Sequence, residues 1–561
     1  MKIFKLFPLA CAALMMTACG SDNDIEGGAT NPGGDAQYLA VNIVNVGTTP
    51  TGRAADYEDG IGEESKIDKI RFYFFHADGS PYILTGTTQT NANWLEEDTH
   101  TQSGLAPTNP GTVDQITNTI LVIKGVTASA PSKVIAVVNP ATLTTLGTDK
   151  KSLNDLLNPV VDKTFVIGTG AAASGFVMSN SVYASENRKV CENDISGHVK
   201  QTQADAESAP VEIYVERVAA KVRGTLDATK FEDGTTKWNN GKPGIKVGTY
   251  SSYDIYAVVD GWGVADENDQ ANLEKQITPT WTNSALGFTS TWTTSDYHRS
   301  FWETSAAFST GKTVNHTFND YTNKSKGYVY TLPNTSDSPI PTTPANAKYN
   351  GNTRTKFLVA THLMYNDGTS WKNAELCTYK GIDYLGVDVL KNQIAFESGY
   401  YVETSAGSGN YQRITKDDIT FKKATTGGDY LVVPALVDDA KTYYQNTGTE
   451  AIPTWTPVSG ADANTALANE TAQVRTNGMA YYYIPIRHLA TDATKVGYYG
   501  IVRNHLYDVN VTGMEGFGTP VYKDTWKIIP TVPDETKTYL AAKINVLQWR
   551  VVSQDVNLDH K

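Results

Sequence analysis

Tyr38-Leu39-Ala40-Val41-Asn42-Ile43, near the start of the chain, returns near its end as Tyr539-Leu540-Ala541-Ala542-Lys543-Ile544. Both copies continue into short apolar and polar alternation, the period-two pattern of a β-strand with one face in a core. Two strands with one pattern can fill one seat in a sheet. Just after the first copy, Thr48-Thr49-Pro50-Thr51-Gly52-Arg53-Ala54-Ala55 is a small, polar loop around an Arg, the kind of exposed segment that a trypsin-like protease cuts. Cutting there would free the first copy, with Leu39, Val41 and Ile43, and leave its seat for the second copy of a neighbouring molecule. The expected product is a polymer.

The rest of the chain has the texture that this reading requires. At 561 residues it exceeds a single core, so two or three domains are expected. Charged residues are only 19%, Tyr (31) and Gly (46) are abundant, and long helical stretches are scarce, which points to an all-β surface protein. The net charge of -13 argues against nucleic acid or an anionic membrane surface as partner, because counterion release needs clustered Lys and Arg.

Strands are expected at Ile67-Asp68-Lys69-Ile70-Arg71-Phe72-Tyr73-Phe74-Phe75, closing on the turn Asp78-Gly79, and at residues 119–123, 134–138, 176–179 and 211–222. A modest helix is expected over 152–157. Past Gly224 the texture shifts to Lys, Asn and Gly over 235–244, which places a domain boundary near Arg223. The second region has strands at 253–259, 357–363, 481–486 and 505–511, with long exposed loops expected at 334–352 and 446–471. A Pro, Asp and Thr linker over 519–537 is expected to detach the final strand. Short strands with this punctuation indicate β-sandwiches.

In the tail, Leu540, Ala542, Ile544 and Val546 share one parity, and Leu547, Trp549 and Val551 the other. The switch indicates either a bulge or a strand buried on both faces. Each buried Leu, Ile or Val is worth roughly 1.5–3 kcal/mol, so four or five anchors supply on the order of 10 kcal/mol before ordering costs.

Signals for catalysis or metal binding are weak, and neither an enzyme activity nor a cofactor is expected. There is no His-Glu-x-x-His and no Gly-x-Ser-x-Gly. Gly311-Lys312-Thr313 mimics the end of a phosphate loop, but Ala306 stands where its first Gly belongs. Asp266-Glu267-Asn268-Asp269 lacks the Gly and terminal Glu of a calcium loop and reads as a solvated loop. Cys191 and Cys377 read as buried thiols, and Glu216 and Arg217 as structural.

The N-terminus has a basic head (Lys2, Lys5), an apolar run over 6–16 too short to span a bilayer, and then Met16-Thr17-Ala18-Cys19-Gly20. This resembles a lipobox, in which the Cys19 thiol receives diacylglycerol. Asp22, Asp24 and Glu26 follow in a flexible tether and resemble the export signal of surface lipoproteins in Bacteroidales.

Together with Cys19 and the Arg53 loop, three further stretches complete a pattern. They are Val215-Glu216-Arg217-Val218-Ala219-Ala220-Lys221-Val222, Val502-Arg503-Asn504-His505-Leu506-Tyr507-Asp508 with Gly516-Phe517-Gly518, and Ile544-Asn545-Val546-Leu547-Gln548-Trp549-Arg550-Val551-Val552. The chain resembles the minor-fimbria (Mfa-type) fimbrillins of Bacteroidales, subunits of type V pili.

The resemblance implies two tandem transthyretin-like β-sandwich domains, a flexible lipidated N-terminus and a detachable C-terminal donor strand. Residues 1–18 would be the lipoprotein signal peptide, 19–53 a propeptide with the removable strand, 54–223 and 224–518 the two sandwiches, and 519–561 the linker and donor. An Arg-specific protease would cut between Arg53 and Ala54. Assembly would then proceed by donor-strand exchange with other copies and accessory fimbrial subunits, supporting adhesion to host or bacterial receptors and biofilm formation. The mature protein would form cell-surface fimbriae, its precursor touching the outer membrane only through its lipid (a palmitate among its acyl chains). The alternatives are a tip or anchor subunit of the same fimbria, or a monomeric surface lipoprotein that binds glycans through Tyr297-His298-Arg299-Ser300-Phe301-Trp302.

Overall fold

The computed structural model describes residues 37–45, 64, 66–84, 91–97, 101–103, 115–123, 129–140, 143, 146–157, 160–162, 175–182, 190–278, 281–288, 293–294, 299–306, 315–322, 327–335, 354–426, 428, 430–530, 539–547 and 552–554. Strands dominate it, as the composition implies, and they gather around three cores.

The first core belongs to a sheet whose strands lie in the order Trp94–Glu97, Ile70–Phe75, Lys133–Val138, Met178–Asn180, Val211–Arg217, Gln37–Asn45, Gln115–Ile123, Thr101–Ser103. Phe72, Tyr73, Phe74 and Phe75 are all buried, so this strand is covered on both faces and reads as a continuous apolar run. It ends in the turn expected at Asp78-Gly79, where Gly79 takes φ +84° and the Gly79 amide donates to His76 O. The helix expected over 152–157 forms at Leu153–Leu157.

Residues 211–222 form two strands where one was expected. Val211–Arg217 belongs to the first sheet and Ala220–Leu226 to a second. The break lies where the backbone changes partners: the Val218 amide donates to Val177 O, whereas Ala219 O accepts from the Asn504 amide and the Lys221 amide donates to His505 O. Both Val218 and Ala219 are buried.

The second core lies between two sheets. One has the order Tyr328–Thr331, Ala220–Leu226, Leu506–Glu515, Tyr539–Leu547, Val552–Gln554. The other has the order Gly244–Tyr250, Tyr253–Ala265, Lys356–Asn366, Met479–Pro485, Thr519–Pro520. Val222, Tyr507, Val509 and Val511 from the first meet Ile255, Phe357, Val359 and Tyr482 from the second, as in a sandwich.

A third core fills an inserted lobe between Trp371–Asn373 and Met479–Pro485. It contains a five-stranded sheet from Ile382–Leu385 to Ile419–Lys423 and a four-stranded sheet in the order Tyr411–Arg413, Tyr400–Glu403, Thr442–Asn446, Trp455–Ser459. Helix Val387–Ser398 packs on it through Leu390, Ile394 and Ala395 and stops at Gly399, whose φ of +66° suits a helix end. The stretch 446–471, expected to be a loop, holds the strand Trp455–Ser459 and the helix Gly460–Leu467, whose N-cap Ser459 accepts from the Asp462 amide.

Residues 519–530, expected to begin a detaching linker, are packed. Thr519–Pro520 pairs with Met479–Pro485, Val521 and Ile528 are buried, and Tyr522 and Trp526 rest on the third core. Their aromatic and branched side chains outweigh the turn-forming residues between them.

Candidate functional site: two strand seats and the junction between them

The leader strand Gln37–Asn45 occupies the interior of the first sheet. It pairs in parallel with Val211–Arg217, Val41 opposite Val211 and Ile43 opposite Ile213. On its other side it pairs antiparallel with Gln115–Ile123, Leu39 opposite Leu121. Leu39 and Val41 are fully buried in the first core. An edge position would need partners on one side only, whereas this strand has them on both, so its departure would open the sheet in the middle and orphan backbone groups on two strands.

The tail strand Tyr539–Leu547 sits on its own chain, antiparallel to Leu506–Glu515. Leu540, Ala542, Ile544 and Val546 stand opposite Met514, Val511, Val509 and Tyr507, four residues of the second core, and Leu547 stands opposite Leu506. The irregularity in this ladder falls between Val511 and Gly513, on the partner strand. Val552–Gln554 folds back on the tail, Val552 opposite Val546, so the tail is a hairpin. Cys19, Arg53, Ala54, Trp549 and Val551 lie outside the described residues, as does Gly311-Lys312-Thr313.

Between the two seats the sequence stretches of the fimbrillin pattern converge on a buried polar junction. Arg217 donates through Nε to Glu64 O at 2.7 Å and through Nη1 to Asn504 Oδ1 at 3.0 Å. The Glu64 carboxylate pairs with Lys221 at 2.8 Å and accepts from the Tyr330 hydroxyl. Burial, reinforced by Glu64, pushes the Tyr330 phenol far above its usual range. Arg503 pairs with Glu303 at 2.8 Å and also donates to Leu273 O and Asn272 O. Leu273 belongs to the first core, so Arg503 grips a segment that is itself embedded in the first sandwich. Lys275 and Glu216, both wholly buried, pair at 2.8 Å. Glu216 and Arg217 thus have the structural roles expected of them.

Beside them Glu274 is fully buried with neither carboxyl oxygen hydrogen-bonded. Burial pushes its carboxyl well above the usual range; Arg503 opposes this, and Glu216 and Glu192 add to it. Cys191 and Cys377 are free and buried. Burial raises both thiols, that of Cys377 to about 12.

Two expectations need correction. Asp266, Glu267 and Asn268 are buried, where a solvated loop was expected. Asp266 pairs with Lys356, Glu267 with His316 at 2.9 Å, and Asn268 donates to Ala306 O and Pro333 O, so all three side chains have protein partners in place of water. Ser300, Phe301 and Trp302 are also buried, the two aromatic residues in a small core with Trp281, Phe288 and Tyr498, so these three residues of the alternative glycan-binding stretch are not presented to solvent. Among the described residues no group of three or more His, Cys, Asp or Glu is placed to hold a metal ion, and no helix is long and apolar enough to cross a membrane.

The junction is what sequence reasoning missed. Arg217 and Asn504 are 287 residues apart, and only the recurrence of charged residues inside two apolar stretches hinted that they needed partners.

No protein of curated function matches the chain. Among solved structures, a fimbrilin (fimA) from Porphyromonas gingivalis W83 aligns over 92% of this chain and 98% of its own, at 12% identity and a TM-score of 0.33. The tip fimbrial protein Mfa3 from Porphyromonas gingivalis aligns over 91% and 99%, at 10% identity and 0.31. A candidate cell adhesion protein from Parabacteroides distasonis aligns over 93% and 98%, at 12% identity and 0.37. Family models match two stretches: the major fimbrial subunit protein (FimA) model over residues 38–217, and the C-terminal model of the type IV major fimbrial subunit protein, fimbrillin, over residues 474–555. The first begins in the leader strand and ends at Arg217; the second contains the Arg503 turn and the tail strand. On these two matches, at its two ends, the chain is similar to the fimbrillins, the fimbrial subunit proteins.

Proposed function

We propose that the chain is a polymerising subunit of a cell-surface fimbria, made as a lipoprotein anchored at the outer membrane through Cys19 and cut by an Arg-specific protease between Arg53 and Ala54. The leader strand with Leu39, Val41 and Ile43 then leaves. Its place is taken by the tail of another copy, with Leu540, Ala542, Ile544 and Val546 as anchors and Leu547, Trp549 and Val551 on the other parity. Accessory fimbrial subunits join the same chain of joints, and the fibre serves adhesion to host or bacterial surfaces and biofilm formation.

The observation that carries this reading is the position of the leader strand. A nine-residue strand paired on both sides is the piece whose loss leaves a strand-shaped gap, and the tail repeats its sequence pattern. A replacement strand restores the ladder on both sides and refills the core in one step. The tail must first leave Leu506–Glu515 of its own chain, which makes donation an exchange between two seats.

The test is Arg53→Ala in the full-length precursor. The variant is expected to reach the surface and stay monomeric, with its leader retained. Fibres of ordinary length from this variant would overturn the processing step.

A further inference from the structure

We infer that Ala206, on a short helix laid across the leader seat, sets the register in which the incoming tail docks, with Ala541 taking the place of Ala40. The inference rests on the proposed strand exchange and adds to it which tail residue goes where.

The helix Gln203–Glu207 precedes Val211–Arg217, the parallel neighbour of the leader strand. Thr202 caps it, its hydroxyl accepting from the Asp205 amide at 3.2 Å, and Pro210 follows shortly after its end. Gln203, Ala204, Asp205 and Glu207 are exposed, and Ala206 alone is fully buried. What it packs on is the leader. Alternation turns Leu39 and Val41 into the first core and Ala40 to the opposite face, where Ala40 and Ala206 pack against each other as a pair separate from that core. At Ala40 the seat is therefore closed on its outer side as well, and a larger side chain there would have to displace the helix.

The tail can meet this constraint in one way. With Leu540, Ala542, Ile544 and Val546 turned to the core, the outward residues are Tyr539, Ala541, Lys543, Asn545 and Leu547, of which only Ala541 is small. A two-residue slip would put Tyr539 or Lys543 beneath Ala206. A one-residue slip would offer Ala542 to the helix but turn Lys543 and Asn545 into the core, where their polar groups lose water. With Ala541 beneath Ala206, Leu540 comes opposite Leu121, where Leu39 now stands, and Ile544 opposite Ile213, where Ile43 now stands. This is the alignment in which the two copies of the repeat agree at Tyr, Leu, Ala and Ile.

The test is disulfide trapping in the full-length chain, read on non-reducing gels of fibres sheared from cells. Added diamide oxidises two facing thiols to one disulfide and takes up their two hydrogens. Ala206→Cys with Ala541→Cys is expected to give a ladder of covalently joined subunits, because the two Ala positions face each other in the seat. Ala206→Cys with Leu540→Cys or Ala542→Cys, on the other face of the tail, should give none. A ladder from either of these pairs and none from the first would overturn the register. As a second readout, Ala541→Leu should lower fibre yield roughly ten-fold or more, while Ala542→Val, which restores the leader's residue, should leave it unchanged. An undiminished yield from Ala541→Leu would also overturn the inference. The exchange is read separately, by mass spectrometry of the same fibres: Tyr38-Leu39-Ala40-Val41 still present would sink the exchange and the register with it, whereas a vacated leader with the wrong cysteine pair joined sinks the register alone.

Discussion

Removing residues 1–53 in a recombinant chain that starts at Ala54 should destabilise the first sandwich selectively, and the size of the effect follows from the seat. Leu39 and Val41 are fully buried there, and each such side chain is worth roughly 1.5–3 kcal/mol, so the two together contribute about 3–6 kcal/mol. The lost ladders to Val211–Arg217 and Gln115–Ile123 add to this, since each net hydrogen bond contributes about 0.5–1.5 kcal/mol. Against a typical domain stability of about 5–15 kcal/mol this is a large share. For a domain of this size it corresponds to a fall in Tm on the order of 10 °C or more. Scanning calorimetry of the full and truncated chains should show the low-temperature transition move while the transition of the second sandwich stays. A synthetic peptide covering residues 539–554 should restore it. An unchanged transition in the truncated chain without peptide would refute the reasoning, because the seat would then contribute nothing.

Other substitutions probe the remaining parts. Ile544→Asp with Val546→Asp puts carboxylates opposite the buried Val509 and Tyr507, and should abolish both docking on the chain itself and incorporation into fibres, read as polymer yield. Arg217→Ala takes the donor away from the buried Glu64 carbonyl and from Asn504 Oδ1 in the junction, and should cost about 1–3 kcal/mol for each acceptor left unsatisfied. X-ray scattering should then show the two sandwiches moving independently; an unchanged profile would count against a role for the Arg217 junction in holding them together. Glu274 tests linkage. Its folded-state carboxyl titrates above the unfolded one, so the folded chain holds a proton that the unfolded chain has lost. Its contribution is complete below the ordinary carboxyl range and declines as pH rises toward the raised value, so Glu274→Gln should flatten the fall in stability above about pH 5. Parallel pH profiles for the two proteins would sink that assignment. Gly224→Ala places a Cβ 2.6 Å from the Trp262 ring and should cost about 1–3 kcal/mol by chemical denaturation.

Much of the strand pattern was legible because its periodicity is local. The strands Ile70–Phe75, Lys133–Val138, Lys356–Asn366, Met479–Pro485 and Leu506–Glu515 all fall where alternation or an apolar run places them. What alternation cannot convey is who pairs with whom. It gave the leader and tail the same pattern but did not say that one lies inside a sheet and the other returns to its own second sandwich. It also ran residues 211–222 together, because the break at Val218 and Ala219 is set by the Asn504 amide and the His505 carbonyl of a turn almost three hundred residues away.

The inserted lobe was missed for a different reason. Residues 446–471 are rich in Thr, Pro and Asn, yet Tyr443, Val458, Ala463 and Leu467 suffice to anchor a strand and a helix on the third core. The buried acids were misread because Asp266, Glu267 and Asn268 look solvated until Lys356 and His316 are brought to them by chain folding.

The most direct test of the central claim is N-terminal sequencing of fibres sheared from cells. Strand replacement predicts a single subunit sequence beginning Ala54-Ala55-Asp56, with no peptide from the Leu39 region remaining in the fibre. Fibres whose subunits still carry Tyr38-Leu39-Ala40-Val41 would contradict it, since the seat in the first sheet would never have been vacated.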